Sequence, residues 1–163
     1  DKPVDEAILR EIVEEASYSP SWKHTQITRY VAVTDPALKE KIANEATTIW
    51  PGNGGIIHQA PVLVCVTAIR NRSGYERDGS FSTVREDRWN FFDTGIASQT
   101  LCLAAYEHGL GSVILGLFDI DKLSALIDLP EDRDLIALIP IGYPAEEPAA
   151  PRRKSVDDLL TII

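Results

Sequence analysis

The chain has 163 residues, 44% of them apolar and 25% charged, so it can bury the core of one soluble globular domain, expected over residues 1–163. Its net charge of −9 argues against a nucleic-acid or anionic-membrane partner, since either needs a basic patch. Its longest apolar run, around Leu101 to Ala105, is too short and too mixed to span a bilayer. Cys65 and Cys102 each lie in an apolar run with no CxxC spacing, as expected of reduced thiols in a cytoplasmic compartment. No signal peptide opens the chain. It starts at Asp1 and contains no Met, so a segment preceding Asp1 is expected.

Pro3-Val4-Asp5 opens a first helix with Ile8, Ile12, Val13 and Ala16 on its buried face, ending near Ser17 before Pro20. Ser19 to Gln26 is a polar loop with an aromatic, a cation, a histidine and an amide in eight residues. It reads equally as a ligand loop or as a surface loop that satisfies its own backbone. Arg29 to Thr34 is a strand, and Asp35-Pro36 then caps a helix burying Leu38, Ile42, Ala46 and Ile49. Pro51 to Gly55 is glycine-rich but lacks the Gly-Lys-Ser/Thr of a phosphate loop, so a flexible turn is expected. Pro61 to Ala68 is continuously apolar, the pattern of a central strand. Arg70 to Arg88 is long, polar and irregular, as lids and binding loops are.

Phe91 to Phe118 organises the rest. Phe92, Ile96, Gln99, Leu103 and Tyr106 fall on one helical face, and small residues such as Gly95, Ala97, Ser98, Ala104 and Ala105 fill the others, which predicts a core helix. Gly109 and Gly111 end it, and a short buried strand from Ser112 to Leu115 closes at Gly116. That sequence of elements suits a platform for a flat ligand, or a plain helix-turn-strand. Asp119 caps a short helix, Leu135 to Ile141 is another strand, and Ala145 to Pro151 is an extended arm. Ser155 with Asp158 resembles a capping box.

No catalytic constellation is evident. His24, His58 and His108 lack metal-ligand spacing, and there is no GxSxG, HExxH or post-strand GxGxxG. Such a chain suits chemistry that belongs to a bound cofactor. Trp89 and Phe92 are candidates either for core anchors or for the wall of an apolar pocket.

Five segments in order carry a resemblance: SPSWKHTQ, RYVAVT with QAPVLV, DTGIASQ from Asp93, GLGSVILGLFD, and ALIPIGYPAEEP with Arg152-Arg153-Lys154. Together they resemble the nitroreductase family over essentially the whole chain. The resemblance implies an α+β fold with a mixed central sheet wrapped by helices. It implies a homodimeric flavoprotein that binds FMN and passes hydride from NAD(P)H through flavin N5 to a small acceptor such as a nitroaromatic or a quinone. Pro20, Ser21, His24 and Gln26 match the family pattern Pro-Ser-x-x-Asn-x-Gln that contacts the flavin, with His24 where Asn is usual. Leu115 and Gly116 match the strand-end glycine motif, whose amides are expected near flavin N5. Arg153 with Arg152 matches the C-terminal phosphate partner. The family's Arg-Arg-Ser-x-Arg phosphate motif would fall before Asp1. The alternative from another class is a flavin- or ligand-binding homodimer without turnover.

Overall fold

The computed structural model describes residues 2–163. Its elements are α1 (Glu6–Ala16), β1 (Thr28–Val33), α2 (Pro36–Glu45), α3 (Pro51–Gln59), β2 (Val62–Ile69), α4 (Trp89–Glu107), β3 (Gly111–Ser112), α5 (Ile120–Leu126), β4 (Arg133–Gly142) and α6 (Val156–Leu159). The sheet order is β1-β2-β4-β3. The architecture is α+β, as expected. The expected mixed sheet is instead antiparallel at every ladder among the described residues. No helix among them is long and apolar enough to cross a membrane.

β2 is central, and its continuous apolar run has a simple cause. Val62, Val64 and Val66 pack with Ile12, Leu101, Ala105 and Ile139 on the face covered by α1 and α4. Leu63 and Cys65 pack with Ile42, Ile57, Leu123 and Leu138 on the face covered by α2, α3 and α5. Both faces of the strand are therefore buried, so alternation with polar residues is lost. Burial also pushes the Cys65 thiol up to about 12, which makes it a core residue and not a nucleophile.

α4 is the expected core helix. Its buried face is the small one, including Ala97, Ser98, Leu101, Ala104 and Ala105. The face with the large side chains points outward: Phe92 is 58% exposed, Leu103 58% and Tyr106 77%. Small side chains let α4 lie close to α1 and the sheet, and the bulky ones cannot occupy that gap. His108 caps the far end of α4 and ties it to α1 through Glu15, at 3.0 Å.

The glycine-rich turn is also different, since Pro51 to Gln59 is helical. Pro51 sits at the first helical turn, where its missing N–H costs nothing. A Cβ on Gly54 would lie 2.9 Å from both Ala43 O and Thr47 Oγ1, so glycine here permits the close crossing of α2 and α3. The expected strand at 112–115 is reduced to Gly111–Ser112 plus a single bridge from Leu115 to Leu138. Val113 and Ile114 are exposed, because the backbone peels away from the sheet edge before Leu115 re-enters it. The capping box at Ser155 and Asp158 is formed, with the hydroxyl accepting from Asp158 N at 3.2 Å.

Candidate functional site

The polar loop after α1 is built by anchors at both ends. Ser19 Oγ donates to Ala16 O at 2.6 Å and closes the helix. Ser21 Oγ then accepts the Gln26 N–H at 2.9 Å, which pinches the loop into a short helical turn at Trp22–His24. Lys23, His24 and Gln26 all adopt positive φ, at 44°, 58° and 48°. Left-handed backbone at three non-glycine residues is uncommon and costs about 1–3 kcal/mol at each. It persists only where surrounding structure over-determines it.

The chief anchor is Asp93, on the first turns of α4 and 2% exposed. Both of its carboxylate oxygens accept the Trp22 N–H at 3.0 Å, and Oδ2 also accepts the Ser73 hydroxyl at 2.7 Å. Asp93 therefore joins the strained loop, α4 and the segment after β2 at one buried point. A second tie lies at the surface, where Lys23 Nζ reaches Glu76 at 2.6 Å. The hydrogen bond from Lys23 is the main cause holding the Glu76 carboxyl below its ordinary value. Gly74 permits the turn beneath it: at φ +88° a Cβ would sit 2.2 Å from Glu86 O.

Aromatic rings extend the site. Trp22 stacks on Trp89 at 4.5 Å, and Trp89 meets Phe92 edge-on at 5.5 Å. Trp89 Nε1 donates to Thr83 Oγ1 at 2.9 Å, which fixes the ring. Three buried polar atoms here lack a partner: Trp22 Nε1, Thr25 Oγ1 and Asn90 Oδ1. Such orphans cost free energy in a finished core and are commoner where a ligand completes the set.

Several clefts meet this framework. One of about 400 Å³ is lined by Ser21, Gln26, Arg29, Tyr30, Asp93 and Ala97 among others. Burial, with a smaller contribution from the Cys102 thiol, pushes Tyr30 up to about 12, so it remains a neutral donor at neutral pH. A neighbouring cleft of about 250 Å³ is lined by Ser21, Trp22, Trp89, Phe92 and Asp93 among others. His24 faces a wider, open depression with Arg72 and Arg77, and its ring lies 2.6 Å from the Gln26 amide.

Of the residues expected from sequence, Ser21, Gln26, Trp89 and Phe92 are brought together at these two adjoining clefts. Leu115 behaves differently. Its N–H donates to Leu138 O at 2.8 Å, and its carbonyl accepts from Leu138 N at 3.0 Å, so its amide is already used. The Gly116 N–H has no partner among the described residues. A Cβ there would meet open space, and its φ lies outside the left-handed range. Nothing within one copy of the chain therefore requires glycine at 116. Arg152 and Arg153 lie in the exposed C-terminal arm, where Arg153 Nη1 donates to Pro151 O at 2.8 Å. Neither lines the clefts beside Asp93.

Sequence reasoning missed the anchoring role of Asp93, and with it Ser73 and Tyr30. The available signal was Asp93 itself, an ionisable residue in register with the small, buried face of an apolar helix.

Comparison with known proteins gives consistent results. A family model described as "Nitroreductase family" matches residues 1–143. The chain is 30% identical over 152 residues to a "Putative NADH dehydrogenase/NAD(P)H nitroreductase" of Methanothermobacter thermautotrophicus, covering 91% of this chain and 71% of that protein. Among solved structures, a nitroreductase family protein of Streptococcus pneumoniae superposes with a TM-score of 0.85 at 20% identity, covering 100% and 92% of the two chains. An FMN-dependent nitroreductase of Clostridium difficile superposes with a TM-score of 0.76 at 23% identity, covering 100% and 90%.

Proposed function

Since the chain belongs to the nitroreductase family, we propose that it is an FMN-dependent oxidoreductase that oxidises NAD(P)H and reduces a small acceptor, working as a homodimer. The observation that carries this reading is the strained loop from Ser21 to Gln26, held by buried Asp93 against two adjoining clefts. Stored backbone strain beside a cleft is characteristic of a ligand-binding segment.

The donor set fits FMN. Ser21 and Gln26 offer hydroxyl and amide donors to the edge of a flat heterocycle, and Gly116 offers an unpartnered N–H with no side chain before it. Arg152 and Arg153 form no ion pair with any described residue, so they are free to take a phosphate by paired charged hydrogen bonds. When bound, FMN supplies the redox chemistry between NAD(P)H and the acceptor. The protein's own part is to orient, to donate hydrogen bonds and to keep water from one wall with Trp89 and Phe92.

The candidate residues fall into two groups, one beside Asp93 and one on 115–116 and the C-terminal arm. A site shared between two copies accounts for this separation. The outward apolar face of α4, with Leu103 and Tyr106, supplies the surface that a second copy would cover.

The rival reading is a flavin-binding homodimer without turnover, favoured by His24 where the family usually has Asn. Purified protein distinguishes the two by colour. Yellow protein bleached by NADH or NADPH under anaerobic conditions supports the enzyme. Yellow protein inert to both supports the binder. Colourless protein that takes up no added FMN defeats both.

A further inference from the structure

We propose that the acceptor is a planar aromatic molecule carrying an anionic substituent, recognised by Arg85 and Arg88 beside the Trp89–Phe92 wall. This rests on the oxidoreductase reading above and adds the substrate class to it.

A cleft of about 370 Å³ is lined by Arg85, Arg88, Trp89 and Phe92. It shares Trp89 and Phe92 with the 250 Å³ cleft that also contains Ser21, Trp22 and Asp93. The two clefts share these rings, and the cations line the larger of them. The rings are held by their own contacts. Trp89 is fixed by its hydrogen bond to Thr83 and by contact with Trp22 and Phe92, at 4.5 and 5.5 Å between ring centres. A flat aromatic guest gains from offset or edge-on contact with such rings.

The cations are available. Neither Arg85 nor Arg88 forms an ion pair or a side-chain hydrogen bond among the described residues. Glu86 and Asp87 stand between them in sequence, yet neither carboxylate pairs with them. Some cations elsewhere do find partners, as Arg10 does with Glu6, Lys23 with Glu76 and Arg70 with Asp134. The short helical turn Glu86–Arg88 leads directly into α4, so both arginines are attached at the end of the helix that carries the rings. The stretch 85–88 is formally neutral, yet its two guanidiniums line the cleft beside the aromatic wall and its two carboxylates do not. A planar guanidinium matches a carboxylate or sulfonate through two parallel hydrogen bonds. The bland alternative is that both are solvated surface charges, as exposed arginines commonly are.

The test uses 4-nitrobenzoate against its neutral analogue 4-nitrobenzamide. The two share a ring and a nitro group and differ in charge. Reduction of 1,4-benzoquinone by the wild-type holoenzyme is measured first, as a check on the oxidoreductase reading that does not involve the anion. The expected result is a kcat/KM for the nitrobenzoate about tenfold above that for the amide, the low end for one charged hydrogen bond, with the ratio falling in R85Q/R88Q. R85K/R88K should restore part of the preference, which a purely structural role for these residues would not produce. A wild-type protein that reduces quinone but shows no preference for the anion, or whose preference survives R85Q/R88Q, overturns the inference and leaves the oxidoreductase reading standing. If quinone is not reduced, that reading fails separately. The acceptor role falls with it, and the anion site alone is then decided by tryptophan fluorescence titration with the same two nitro compounds. Tighter binding of the anion that is lost in R85Q/R88Q upholds the site, and equal binding overturns it.

Discussion

Replacing Asp93 with alanine tests how the loop is held. The substitution removes the acceptor of the Trp22 N–H and of the Ser73 hydroxyl, and both donors stay inside the protein. An unsatisfied buried donor costs about 1–3 kcal/mol, so the pair costs roughly 2–6 kcal/mol if the loop keeps its shape. For a chain of this size each kcal/mol lowers Tm by about 2–4 °C, which gives an expected loss of roughly 4–24 °C. Strain at Lys23, His24 and Gln26 gives the loop another route, because it can relax once its anchor is gone. Relaxation would shrink the thermal loss, and it would appear as faster amide exchange at Trp22 and Gln26. Asp93→Asn separates the terms: its remaining carbonyl accepts the Trp22 N–H, and Ser73 can accept from the new amide. It should melt closer to wild type, with loop exchange nearly unchanged. The measurements are thermal unfolding, hydrogen exchange by mass spectrometry and FMN titration. Asp93→Ala that melts within about 2 °C of wild type, with unchanged loop exchange and FMN affinity, would refute the anchoring argument.

Three further substitutions probe the rest of the site. Gly116→Val should fold normally, because a Cβ there meets open space, and should lose FMN; full occupancy with normal NADPH oxidation would rule out a backbone facing the flavin. Arg153→Ala should weaken FMN binding by roughly 10- to 150-fold, the equivalent of one charged hydrogen bond, and unchanged affinity by fluorescence titration would mark Arg153 as a solvated charge. Leu103→Glu places a charge on the outward face of α4 and should convert dimers to monomers by light scattering; a dimer that persists would mean that this face is not the interface.

What the sequence revealed depended on how local the cause was. The caps at Asp35, Asp119 and Ser155 are read from a few adjacent residues, and all three form. The β2 run is legible because burial on both faces leaves no polar register. The α3 helix was hidden, since three glycines in its first five residues argue for a turn and only the crossing with α2 rewards them. The orientation of α4 was hidden for a related reason. Periodicity identifies a face with large apolar side chains, but it does not say whether the sheet or another molecule covers it. At the candidate site, Ser21, Gln26, Trp89 and Phe92 were picked out by motif and type, and the structure shows only that they line adjoining clefts. Asp93 was not, because its role depends on two partners, Trp22 and Ser73, that lie 71 and 20 residues away.

Asn53 and Gly54 are neighbours on α3, and they do opposite things. Gly54 sets how near α3 lies to α2, while Asn53 Nδ2 reaches across and donates to Leu117 O at 2.9 Å. Leu117 directly follows Gly116. The packing distance between two helices behind the sheet is therefore linked through one side-chain amide to the backbone that carries the open glycine. An extra methyl group at position 54 would push on that backbone like a shim under a hinge plate, without entering any cleft. Mutational libraries confined to cleft-lining residues would leave this adjustment untouched, although it offers a graded control of where the 115–117 segment stands.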